Sequence, residues 1–368
     1  MFSKSLQAAT VLLMLLAATS CSFKHKKYEN PITQDTDQPD KILFDKAIKD
    51  IEKGRYEIAR LTLNTLLNTY ESSEYAAKAK LAIADAWYRE GGPRGYSQAE
   101  AEYTDFILFY PAMEEAAESQ KRICDIHVKQ MDKPDRDNAQ GQRAEQACQQ
   151  VLIRFPNSKF IAETEQMLRN IQEVIAEGDF ERATFYRSRG AFNAAVARYH
   201  DVVDTYPLYS KADESYWFLG QSYGKLGPAF RGQESTAYAK LVRDYPLSPW
   251  VEQAKQRLNE MEVKIPDPDP IAAARMQYDI DNREEPGKMD RVFGFMRRGP
   301  DISLAAKSGA PQMNPPKTSM PPLIPAANGA AGFQGDVTVS PVTNPSALEQ
   351  KPDARPASQQ PAPAPAKP

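Results

Sequence analysis

Small, apolar and polar positions recur along the first two thirds of the chain at helical intervals, and the recurrence itself repeats. In GAFNAAVARYHDVVDTYP, residues 190–207, Ala195 and Tyr199 lie one turn apart on one helix face, and Pro207 follows eight residues later, where a helix stops. The same small, aromatic, proline steps occur at Ala99, Tyr103 and Pro111 and, with cysteine in the aromatic place, at Ala144, Cys148 and Pro156. Weaker copies stand at Ala59, Leu63 and Glu71, and at Glu234, Tyr238 and Pro246. The five units begin 40, 45, 51 and 39 residues apart, and an aromatic residue precedes each closing position, at Tyr70, Tyr110, Phe155, Tyr206 and Tyr245. Self-similarity at this period predicts a repeat array.

Each unit needs a first helix to cover its second. In ESYWFLGQSYGKLG, residues 214–227, Tyr216, Leu219, Gly220 and Tyr223 have the spacing of the tetratricopeptide signature, with Tyr in the usual Trp place. Gly220, Ala84 and Cys124 each lie 14 residues after the preceding closing aromatic, so small residues stand where paired helices would approach. The predicted fold is all-α: a solenoid of five tetratricopeptide-like helix hairpins at 41–70, 74–110, 113–155, 160–206 and 210–245, with a capping helix near 249–262. REGGPRG, residues 89–95, and KPDRDNAQGQ, residues 133–142, read as extended turns of the second and third units. The aromatic stripes at Tyr103, Tyr199 and Tyr238 read as core packing rather than a ligand ladder.

Composition divides the chain. Of its 29 prolines 19 lie after residue 264, so 41–262 reads as the folded repeat domain and 263–368 as a disordered Pro/Ala-rich tail. Within the tail, DRVFGFMRRGP, residues 290–300, gathers Val292, Phe293, Phe295 and Met296 beside Arg297 and Arg298, either as a docking peptide or as a stray cluster in a linker. A net charge of −3 with no concentration of Lys and Arg argues against nucleic acid as a partner.

At the other end, the apolar run Val11 to Ala18 is too short to span a bilayer and has the layout of an export signal, residues 1–20. It ends in AATSC, which resembles the box at which bacterial lipoprotein signals are cut, with Ala18 where leucine is commonest. The thiol of Cys21 would then carry diacylglycerol and fatty acyl chains and tether the protein to a membrane. Residues 21–40, polar and holding Lys24, Lys26, Lys27, Pro31 and Pro39, read as a flexible tether.

No constellation for catalysis emerges. His25, His127 and His200 are not at metal-ligand spacing, and there is no zinc-peptidase, nucleophile-elbow or dinucleotide motif. PDPDP, residues 266–270, lacks the glycine of a calcium loop. The expectation is a non-enzymatic protein without metal or cofactor other than the covalent lipid. Cys124 and Cys148 fall on the two helices of the third unit at points facing the pair interface. Export makes oxidation available, so a disulfide is expected there, the alternative being two small buried thiols.

An acylated cysteine followed by five such repeats resembles the BamD family of outer-membrane assembly lipoproteins, which includes a competence-lipoprotein branch. The likeness covers about residues 18–262. It is strongest in FYRSRGAFNAAVARYHDVVDTYP, through Phe185, Tyr186, Arg189, Gly190, Ala191, Ala194, Ala195, Arg198, Tyr206 and Pro207. It extends to DRDNAQGQRAEQACQQVLIRFPNSKF, residues 135–160. Glu71 in place of the first proline and a tail of about 100 residues depart from the family. The resemblance implies a lipid-anchored protein on the periplasmic side of the outer membrane, a scaffold of the machinery that folds β-barrel proteins there. Its implied partners are the barrel-bearing core subunit, accessory lipoproteins and unfolded outer-membrane proteins. It further implies Arg189 and Arg198 as partner contacts, and a substrate-peptide pocket in the first repeats, for which Phe44, Ile48, Tyr88 and Arg89 are the candidates on first helices. The alternatives are another repeat lipoprotein, such as a pilotin or an envelope-division coordinator, and a cell-wall enzyme adaptor or weak hydrolase.

Overall fold

The computed structural model describes residues 38–283 and 299–313. Cys21, the signal segment, tether residues 22–37, most of the 290–300 cluster and residues 314–368 lie outside the described residues, while Pro39 and Asp40 of the expected tether belong to the first helix. Among the described residues the regular elements are twelve α-helices and one 3₁₀ turn. In order they are α1 Pro39–Glu52, α2 Tyr56–Thr69, α3 Ala76–Glu90, α4 Gly92–Phe109, α5 Glu114–Lys129 and α6 Ala139–Arg154. Then come α7 Ile161–Ser188, α8 Phe192–Thr205, α9 Ala212–Leu226, α10 Arg231–Asp244, α11 Val251–Glu260 and α12 Pro270–Asp281. From α1 to α11 each helix packs principally on its neighbours in chain order, α1 against α2, α2 against α3 and onward, which is the arrangement of a hairpin solenoid.

The repeating stop has one geometry. At Tyr70, Tyr110, Phe155, Tyr206 and Tyr245, φ lies between −125° and −132° and ψ between 53° and 66°. Each donates its N–H to the carbonyl four residues back, at 2.8–3.0 Å. A following proline disfavours the helical conformation in the residue before it, which accounts for the stop in four units. The first keeps the same angles with Glu71, so the missing proline leaves that turn unchanged.

The stripe residues are core. Tyr103, Tyr199 and Tyr238 are fully buried, with Ala99, Ala195, Ala84 and Cys124 beside them. Gly220 is required: a Cβ there would lie 2.4 Å from the Tyr238 ring.

Three features differ from expectation. The REGGPRG stretch is not an extended turn, because Gly91 alone separates α3 from α4 and residues 92–95 form the first turn of α4. Gly91 and Gly92 supply the positive φ needed, and Gly95 lets α4 pass the Trp87 carbonyl, which a Cβ would meet at 2.9 Å. The fourth unit opens with a helix of 28 residues, about twice the usual first helix. Finally, the tail is structured at 263–283 and 299–313. Helix α12 starts at Pro270, with Asp269 accepting from the Ile271 N–H at 2.9 Å, so PDPDP is a helix cap.

Candidate functional site

At the N-terminal end, the four substrate candidates do not share one cleft. Phe44 and Ile48 on α1 are half-buried in a core formed by α1, α2 and α3, with Phe44 5.4 Å from the Tyr75 ring. Tyr88 on α3 packs against the next core, 6.4 Å from Tyr103, and Arg89 is exposed beside it. The outer edge of Tyr88 is cationic: Lys129 Nζ stands 4.2 Å over its ring and donates to its hydroxyl at 2.5 Å, and the Arg122 guanidinium lies 5.3 Å from the ring. Trp87 borders both cores, under the buried Arg60 guanidinium 3.5 Å above it. Arg60 also pairs with Glu90 at 2.5 Å. Nothing in the repeat pattern marks Arg60, since its charge hides a role in packing.

The fourth hairpin carries the two partner candidates. Arg189 caps α7, exposed, with its guanidinium 5.3 Å from Phe185. Phe185 is 55% exposed and lies edge-on to Tyr186 at 5.8 Å, an unusual amount of open aromatic surface for a helix end. A cavity of about 240 Å³ adjoins this pair, walled by Pro134, Asp135, Gly178, Glu181 and Arg182. The insertion of the third unit forms its rim because Gly178 admits the Pro134 carbonyl, which a Cβ would meet at 2.5 Å. On α8, Arg198 is exposed and pairs with Asp201 at 3.3 Å, both side chains about half open to solvent. Such a pair is worth about 0.2–1 kcal/mol, so a partner carboxylate can take the guanidinium over at little cost.

A buried carboxylate, Glu173, and a half-buried one, Glu177, join the fourth hairpin to the fifth. Glu173 accepts from the Ser210 N–H at 3.0 Å and from the Ser210 hydroxyl. Glu177 accepts from the Tyr209 hydroxyl at 2.6 Å and pairs with Lys211 at 2.6 Å. Burial pushes the Glu173 carboxyl up to about 7 against the two Ser210 bonds, and burial likewise raises Tyr209. A second cavity, about 520 Å³, opens between Arg187, Trp217, Lys225, Tyr238 and Arg257.

In the third hairpin Cys124 on α5 and Cys148 on α6 form a disulfide, with Cα atoms 5.0 Å apart and the Met167 sulfur of α7 3.2 Å from Cys124 Sγ. The described histidines serve packing: His127 lies between Gln140 and Glu100, each at 3.3 Å, and His200 Nε2 is 2.6 Å from the Tyr223 hydroxyl. His127 holds the Glu100 carboxyl below its ordinary value through their hydrogen bond. Among the described residues no cluster of three His, Cys, Asp or Glu could hold a metal, and no helix is long and apolar enough to cross a membrane.

The profile of a family described as YfiO, outer membrane lipoprotein, matches residues 36–238. The chain is 26% identical over 255 residues to an outer membrane protein assembly factor BamD of Xylella fastidiosa strain 9a5c, covering 66% of this chain and 84% of that one. It is 23% identical over 257 residues to the factor of the same name from Caulobacter vibrioides, covering 69% and 81%. Among solved structures, the MamA protein is similar at 14% identity and a TM-score of 0.27, over 62% of this chain and 98% of that one.

Proposed function

Because the chain belongs to the YfiO family of outer membrane lipoproteins, we propose that it is a periplasm-facing, non-catalytic scaffold of the machinery that assembles β-barrel proteins in the outer membrane. The match of the family profile across 36–238, spanning four hairpins and most of the fifth, carries this reading. Lipid on Cys21 would hold the array at the membrane surface, with the polar tether giving it reach. The exposed Arg189 and Arg198, next to the open Phe185 and Tyr186, would meet the barrel-bearing core subunit: the aromatics supply apolar contact and the guanidinium groups bidentate bonds to carboxylates. The first two hairpins would receive unfolded outer-membrane proteins, with Phe44 and Ile48 on one core and Tyr88 and Arg89 on the next forming two neighbouring contacts rather than one pocket. Accessory lipoproteins would occupy remaining faces of the array.

Extraction of the lipidated chain in mild detergent, affinity purification and mass spectrometry of what accompanies it test the reading. A stoichiometric barrel-bearing subunit is the expected companion. A secretin, a division protein or a cell-wall hydrolase in its place would overturn the proposal in favour of another kind of adaptor.

A further inference from the structure

The 51-residue step between the third and fourth units is taken up by α7. At 28 residues this helix is about 42 Å long, whereas α8, with 14, covers only about 21 Å. Helix α8 meets the C-terminal half, where Tyr199 lies 5.9 Å from Phe180 and 3.0 Å from the Thr184 hydroxyl. The N-terminal half runs on past α8 and carries Gln166, Arg169 and Gln172 at three-residue intervals on one face.

Residues of the tail lie along that face. Gln166 Nε2 donates to the Ala306 carbonyl at 3.1 Å, Arg169 to the Gly309 carbonyl at 2.8 Å and Gln172 to the Gln312 carbonyl at 2.7 Å. Donors three residues apart thus meet carbonyls three residues apart. Gln172 also accepts from the Gln312 N–H at 3.3 Å, so its amide pairs with a backbone unit from both sides, while Gln149 of α6 adds a 3.4 Å bond to the same carbonyl. All of these bonds go to backbone atoms of the segment. Its buried side chains are small, Ala305, Ala306 and Pro311.

We infer that the row Gln149, Gln166, Arg169 and Gln172 is a groove that binds the backbone of an extended polypeptide, occupied in the free protein by the chain's own residues 305–312 and opened when an incoming peptide replaces them. Recognition through backbone atoms is tolerant of sequence, as a receptor for many different unfolded chains requires. The occupant is held by a latch outside the groove: Asp279 of α12 accepts from the N–H groups of Lys307 and Ser308 and from the Ser308 hydroxyl, each at 2.9 Å. Since the side chains it buries are small and Asp279 is a latch outside the groove, the segment is suited to leave. That the incoming chain is an unfolded outer-membrane protein rests on the function proposed above; the groove and its occupant do not.

The test uses the full chain and a fluorescein-labelled peptide of the sequence SLAAKSGAPQM, residues 303–313, read by fluorescence anisotropy. Ser308→Pro in the chain, which removes the N–H and hydroxyl that Asp279 accepts from its own segment and leaves those of the peptide intact, should tighten binding at least fivefold over the unaltered protein, whereas Ser308→Thr, which keeps both donors, should stay within twofold of it. Adding Gln166→Ala and Arg169→Ala to Ser308→Pro should weaken binding at least tenfold, and a scrambled peptide of the same composition should compete within threefold. Equal affinity for Ser308→Pro and the unaltered chain, with unchanged circular dichroism, would overturn the plug. Binding indifferent to Gln166 and Arg169, or lost on scrambling, would overturn the backbone groove. None of these outcomes alters which subunits co-purify, so failure here is distinguishable from failure of the proposed function.

Discussion

Glu173 should make the array less stable as pH rises, contrary to the habit of paired carboxylates. Its ordinary value is 4.5 and the fold raises it to about 7, chiefly by burial, so the folded chain binds the proton more tightly than the unfolded chain does. Stability from this group is therefore complete below about pH 4.5 and is lost progressively as pH climbs to about 7, above which the loss is constant. The span from 4.5 to about 7 corresponds to about 3 kcal/mol. Asp85, Asp125, Glu181 and Glu214 are also raised, with burial the first cause in each, and tilt the profile the same way; Glu100, held down by His127, opposes them. Glu173→Gln keeps the shape and an oxygen to accept from Ser210 but removes the charge. Urea unfolding followed through Trp217 and Trp250, which stack at 5.5 Å beside the fifth hairpin, would report it. The variant should be more stable than the unaltered chain by about 3 kcal/mol at pH 8 and by little at pH 4.5. A variant less stable at pH 8 would show that ionised Glu173, bonded to Ser210, is a net source of stability and would refute the argument.

Other outcomes follow from packing. Replacing Cys124 and Cys148 by serine should lower the unfolding free energy by about 3.5 kcal/mol, the chain-entropy value for a loop of this length; maleimide labelling of both thiols in the denatured, unreduced protein would contradict the bridge. Gly220→Ala places a methyl group 2.4 Å from the Tyr238 ring and should cost about 1–3 kcal/mol, read as a lower melting temperature, with no loss expected at the open Gly232.

Much of the array is written in its sequence because each unit repeats the same demands. The closing aromatic and proline, the buried tyrosine and the small residue opposite it mark both helices of most hairpins, and the two cysteines stand in those same registers. What escapes notice lies between units or outside the period. The extra length of α7 shows as a 51-residue step, but the step does not say which helix absorbs it. Arg60 over Trp87 and Gly178 under Pro134 are single contacts with no periodic signature. The docking of residues 305–312 could not be read from hydrophobic pattern, since Gln166, Arg169 and Gln172 bind backbone groups that every residue carries. The candidates Phe44, Ile48, Tyr88 and Arg89 were legible as first-helix positions, but the division of the core between Ile83 and Ala84 of α3, which separates them, depends on three-dimensional packing.

The central claim, a scaffold that grips a barrel-bearing subunit through its fourth hairpin, is tested most directly by reversing one charge. Arg198 is exposed and held only by a solvent-open pair with Asp201, so Arg198→Glu should leave the melting temperature nearly unchanged. In a detergent pull-down the variant should release the core subunit while peptide crosslinking at Tyr88 persists. Undiminished co-purification would contradict the account, and a large fall in melting temperature would show that Arg198 serves the fold instead.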